Sequence, residues 1–180
     1  MSRIRDLSLL AGRGVLGGYL AAHGAQKLWA AFGGPGLDPV AGAFDKLGLR
    51  PGRAMARLAG ISEFGGGLLT VAGLADPLGP LAIAGTMAVA GTTHGARGPF
   101  AANGGYELPL SNLAAALTLA ATGPGRYSLD RLTGGNLPGP LTRLIALGTA
   151  GGVLANVAMM RRAKAAPSTT ADDAVKTEER

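Results

Sequence analysis

Between Phe64 and Gly125 the only charged residues are Asp76, Arg97 and Glu107. A helical protein in water needs a charged face on nearly every surface helix, and about a third of this chain offers none. The medium around that region is therefore expected to be lipid. Composition points the same way, since 47% of the 180 residues are hydrophobic and 16% are charged, well below the usual charged fraction of a soluble domain.

Five segments are expected to cross a bilayer. The first runs from about Leu7 to Phe32, the second from about Ala54 to Leu74, the third from about Leu78 to His94, the fourth from about Tyr106 to Thr122 and the fifth from about Leu141 to Met160. The third, fourth and fifth are nearly uncharged, whereas the first two carry several charges each and are accepted because their apolar surface needs a partner other than water. Asp6 and Arg13 argue against reading the start as a secretory leader. The pairs Gly14/Gly18 and Gly148/Gly152 are candidate small-residue contacts between helices. Short surface helices are expected around Val40 to Leu47 and after Ser128, with Ser128 and Asp130 as candidate caps.

Alternating crossings sort the polar residues without fixing which side is which. His23 and Lys27 fall late in the first segment, Arg57 and Glu63 early in the second, His94 at the end of the third and Glu107 at the start of the fourth, so all six lie in one half of the bilayer. An ionisable group inside so apolar a segment is costly unless it is paired or lines a polar cavity. Glu63 is the deepest carboxylate and is expected to pair with Lys27 or His23. Arg13 falls toward the opposite face, where it is expected to snorkel to the surface.

Several chemistries are set aside. A net charge of +6 raises nucleic acid as a partner, but the basic residues cluster at segment ends, as membrane boundaries do, and no groove-reading motif is present. With no cysteine there is no disulfide, thiolate metal site or thiol redox chemistry. His23, His94, Glu63 and Glu107 are suitable metal ligands by type but lack H-x-x-x-H or comparable spacing, and no metal is expected. The loop FGGPG lacks the Lys-Ser/Thr of a phosphate cradle, and NGGYE reads either as a turn plus helix start or as a cap over the polar pocket. His23-Gly24-Ala25 and His94-Gly95-Ala96 form a short internal echo.

With HGAQKL, FGGPG, ISEFGGGLL, FAANGGYE and GRYSLD in view, the sequence resembles the DoxX family of small bacterial integral membrane proteins over about Leu7 to Leu132. The resemblance implies an all-α, antiparallel transmembrane four-helix bundle spanning residues 1–132, to which this chain adds a fifth transmembrane helix, 133–162, and a disordered polar tail, 163–180. It puts His23, Gln26, Lys27, Gly34, Glu63, Asn103, Gly104, Gly105 and Glu107 at recurring motif positions. It also implies a multi-pass protein of the bacterial plasma membrane. Some family members are linked to thiosulfate:quinone oxidoreductase, others to membrane assemblies that handle thiol and radical stress.

The function expected from residues and resemblance together is a redox-associated membrane subunit with a polar pocket for a quinone head group or a small sulfur oxyanion. His23, Lys27, Glu63 and Glu107 are the candidate catalytic residues, and Gln26, Arg57, His94 and Asn103 the candidate ligand-binding ones. No cofactor is built in, so quinone or a partner carries the electrons, and the chain is at most one subunit of a quinone-linked oxidoreductase complex. The expected partners are the bilayer, oxidoreductase or respiratory-complex subunits and further copies of the chain. The alternative is a non-catalytic anchor that docks soluble or respiratory oxidoreductases. A small-solute transporter is disfavoured by the few crossings per chain.

Overall fold

A computed structural model describes residues 3–135 and 137–165, and all the regular secondary structure among them is helical. Its α-helices are α1 (Arg3–Trp29), α2 (Leu37–Lys46), α3 (Gly52–Ala72), α4 (Leu78–His94), α5 (Glu107–Thr122), α6 (Leu129–Thr133) and α7 (Gly139–Ala165). Most of the expected tail lies outside the described residues. Glycine and proline punctuate the chain. The left-handed backbone of Gly73, which only glycine adopts cheaply, ends α3 with its N–H on Thr70 and that of Leu74 on Leu69. The hydroxyl of Ser128 caps α6 by accepting from the Arg131 N–H at 3.3 Å.

Four helices pack in a ring, α1 on α3, α3 on α4, α4 on α5 and α5 back on α1, while α2 lies against α3 and α7 leans on α4. Leu9, Leu16 and Leu20 of α1 meet Ile83, Ala84 and Met87 of α4 and Ala116 and Leu119 of α5 in the central core. The most extensive seam joins α1 to α3. A Cβ on Gly17 would lie 2.6 Å from the Gly67 carbonyl, and one on Gly24 would lie 2.3 Å from the Phe64 nitrogen, so these two helices touch backbone to backbone. The expected pairs Gly14/Gly18 and Gly148/Gly152 do not serve this purpose, because a Cβ at any of the four meets nothing within 4 Å. The residues that do, Gly17, Ala21 and Gly24, sit on a neighbouring stripe of the same helix.

The bundle has two ends. One holds the start of α1, the α3–α4 turn and α6, and the other holds α2, the long α4–α5 loop and the end of α7. Among the described residues α7 alone is both long enough and apolar enough to cross a membrane by itself. α4 and α5, whose one carboxylate is Glu107 at the start of α5, have 17 and 16 residues, about 25 Å of helix each, just short of a 30 Å hydrocarbon layer. The longer α1 and α3 carry the charges Arg3, Arg5, Asp6, Arg13 and Lys27, and Arg53, Arg57 and Glu63.

Candidate functional site

A cavity of about 650 Å³ opens in the half of the bundle nearer α2. At the other end α3 and α4 pack too closely to leave space, since a Cβ on Gly79 would meet the Gly66 carbonyl at 2.8 Å. Toward α2 the gap between them is occupied by the cavity, with Met55, Leu58 and Ala59 on the α3 side and Thr86, Val89, Ala90 and Thr93 on the α4 side. Its polar groups come from several helices. His23 and Lys27 project from α1, Ser62 and Glu63 from α3, His94 from α4, Asn112 from α5 and Asn156 from α7.

Lys27 and Glu63 form an ion pair in the wall. Glu63 is 2% exposed, and a carboxylate so withdrawn from solvent needs a cation and a donor together, both of which the Lys27 ammonium supplies. Both side chains line the cavity, and Lys27, with 22% of its side-chain surface accessible against 3% for Glu63, is the more accessible partner. His23 stands one turn before Lys27 on α1 and is held edge-on by Tyr19 at a ring distance of 4.4 Å. The Nδ1 of His94 lies 2.8 Å from the Ala90 carbonyl and 3.1 Å from the Thr93 hydroxyl, which leaves its other ring nitrogen as the one available to a ligand.

Four of the candidate residues lie elsewhere. Glu107 is exposed, and its carboxylate accepts the Ala101 N–H at 2.7 Å, bracing its own loop rather than lining the cavity. Asn103 is exposed in that loop, whose turns close on themselves through Tyr106 N–H to Gly98 at 3.2 Å and Glu107 N–H to Pro99 at 2.8 Å. NGGYE therefore acts as turn and helix start, not as a lid. Arg57 points outward from α3. Gln26 supports the FGGPG loop, its carbonyl accepting the Gly36 N–H at 3.0 Å and its side chain filling the place that a Cβ on Gly34 would take. Among the described residues no three His, Asp or Glu side chains converge as metal ligands.

Residues 8–96 match the model of the DoxX family. The chain carries a DoxX-family domain. That makes it a membrane protein, and the matched stretch contains His23, Lys27, Glu63 and His94. Neither a curated protein nor a solved structure matches the chain. The motifs FAANGGYE and GRYSLD lie beyond the matched residues, and in this DoxX protein GRYSLD builds a second polar site at the opposite end of the bundle.

At that end Arg13 is 2% exposed. It does not snorkel. Its guanidinium donates to the carbonyls of Tyr127 at 2.6 Å, Val71 at 3.3 Å and Pro124, tying α1 to the end of α3 and to the α5–α6 connection. Asp130 is not a cap either, because its carboxylate accepts the N–H groups of Ala75 and Asp76, each at 2.8 Å, and so clamps the α3–α4 turn onto α6. Asp6 reaches the same connection, accepting the Arg126 N–H at 3.2 Å. Burial and the nearby Asp130 push the Asp76 carboxyl up to about 6, although Arg13 opposes the rise. The sequence does hint at this lock, in an arginine inside an otherwise apolar stretch, but its partners are backbone carbonyls that no side-chain pattern identifies.

Proposed function

We propose that this DoxX protein is a multi-pass, redox-associated membrane subunit whose cavity binds a quinone head group. The observation that carries the reading is the Lys27–Glu63 ion pair, buried on its acidic side and set in the wall of a largely apolar cavity with His23 and His94. A cavity of about 650 Å³ is in the range that encloses an organic ligand. Glu63 already neutralises Lys27, so the site suits a neutral, polar ring better than the small sulfur oxyanion that the sequence also allows. A bound quinone supplies electron acceptance, which nothing in the chain provides. The chain's part is to donate hydrogen bonds to ring oxygens from Lys27 Nζ and a histidine, to hold a proton on that histidine, and to keep water away with the apolar wall.

The test is equilibrium binding of a short-chain benzoquinone to purified protein in nanodiscs. Saturable binding that weakens about tenfold in Lys27→Ala is the expected result; binding unchanged in that variant contradicts the site.

The anchor reading keeps one observation of its own. Trp29, Phe32 and Phe100 stand exposed at the end nearer α2, Phe32 at 78% on a left-handed backbone that a bulky residue adopts only at some cost. Such aromatics suit a headgroup belt or a docked oxidoreductase subunit. Retention of a partner by wild-type protein and its loss in Phe32→Ser would favour docking.

A further inference from the structure

The family match ends at residue 96, yet one wall of the cavity comes from α7, far outside it. Gly148, Thr149, Gly152, Val153 and Asn156 recur at the spacing of a single helical face, and all five line the cavity. The helix is held at two places. Thr149 packs where a Cβ on Gly85 of α4 would meet it at 2.9 Å, and near its end Ala163 fills the place beside Gly48 while Met159 accepts the Arg50 N–H at 3.2 Å. Beside the first of these points Gly148 and Gly152 leave space, because a Cβ at either meets no atom within 4 Å. Across that space stand the apolar side chains of Met55, Leu58, Val89 and Ala90. The cavity therefore has a charged flank on α1 and α3 and a less polar extension along the glycine face of α7, where Thr149 and Asn156 are the polar side chains and the Asn156 amide already donates to the Gly152 carbonyl at 2.8 Å.

We propose that α7 is a specificity element that takes the hydrocarbon chain of the ligand, so that the substrate class is a prenyl-type amphiphile and not a water-soluble quinone or free anion. This rests on the quinone-head reading above. The head sits at Lys27, and the chain runs in the groove that Gly148 and Gly152 keep open. Leucine at either glycine projects into that groove and fills it while leaving the ion pair intact.

The experiment compares a bare dimethoxy-methyl-benzoquinone with its decyl-substituted form, in nanodiscs of one lipid composition so that partitioning is common to every variant. Wild-type protein is expected to bind the decyl form at least about tenfold more tightly, since several methylenes leave water or lipid for a fitted groove. Gly152→Leu, and independently Gly148→Leu, should abolish that preference while binding the bare head as wild type does. Gly151→Leu, outside the cavity wall, serves as the control and keeps the preference. If the leucine variants weaken both ligands alike, or leave the preference intact, α7 does not select the chain and the head-group reading stands alone. If the wild type shows no preference, the groove belongs to bilayer lipid and the proposal is overturned. If wild type binds neither ligand, the head-group site and the chain groove are both overturned.

Discussion

At the scale of single residues, two buried charges do opposite jobs at the two ends of the bundle. Glu63 has one charged partner and an adjoining cavity, whereas Arg13 spends its guanidinium on backbone carbonyls and does not line that cavity. The first arrangement leaves a cation accessible to a ligand, and the second only fixes where the chain turns. Asp76 makes the second site sensitive to pH. The folded protein holds the Asp76 proton up to about pH 6, and the unfolded chain releases it near 3.8, so the native state binds more protons between those values. Stability is therefore expected to fall as pH rises from about 4 to 6 and to level off above. Melting midpoints in detergent across that range should show the slope, and Asp76→Asn should flatten it; an equal slope in the variant would mean that another group is responsible. The pairing of Glu63 was legible from its depth in an apolar segment. The role of Arg13 was not, because its accepting carbonyls lie 58 and 114 residues away and carry no side-chain signature.

At the scale of elements, the helices could be read from the chain because glycine, proline and the absence of charge mark where each begins and ends. α4 spans the residues expected for it, and the others differ by a few at their ends. How the helices face one another was less legible. In a chain with 31 glycines, small-residue spacings arise on every stripe of a helix, and only three-dimensional contact selects Gly17 and Gly24 over Gly14 and Gly18. Gly67 gives a direct check, since a Cβ there would lie 2.5 Å from the Gly17 carbonyl. Gly67→Ala should destabilise the protein by about 1–3 kcal/mol or more, as helix backbones must part to admit it, whereas Gly14→Ala should be neutral or slightly stabilising. Thermal unfolding in detergent compares the two, and equal effects would argue against the backbone seam. The candidate site was legible in part. His23, Lys27, Glu63 and His94 meet at one cavity, but Glu107, Asn103, Arg57 and Gln26 share its end of the molecule without reaching it, because alternation of helices fixes depth and not direction.

At the scale of the whole molecule, everything proposed for the cavity depends on lipid surrounding the ring of α1, α3, α4 and α5 as well as α7. The outward apolar side chains favour it, with Val15 at 75%, Ile61 at 60% and Leu147 at 71% exposed on three different helices. Charges on α1 and α3 argue the other way only until their places are considered. Glu63 and Lys27 are paired, Arg13 is bound to carbonyls, and the rest lie within the first two turns of their helices. The chain has no cysteine, so single cysteines can be introduced at Arg3 and Thr133, at one end of the bundle, and at Ala43, Ala96 and Lys164, at the other. Labelling intact cells with a membrane-impermeant maleimide should then divide these positions into two groups, Arg3 with Thr133 on one side and Ala43, Ala96 and Lys164 on the other. If instead Arg3, Ala43, Ala96 and Thr133 all report one side and Lys164 alone the opposite one, only α7 crosses the membrane, and the intramembrane cavity is contradicted.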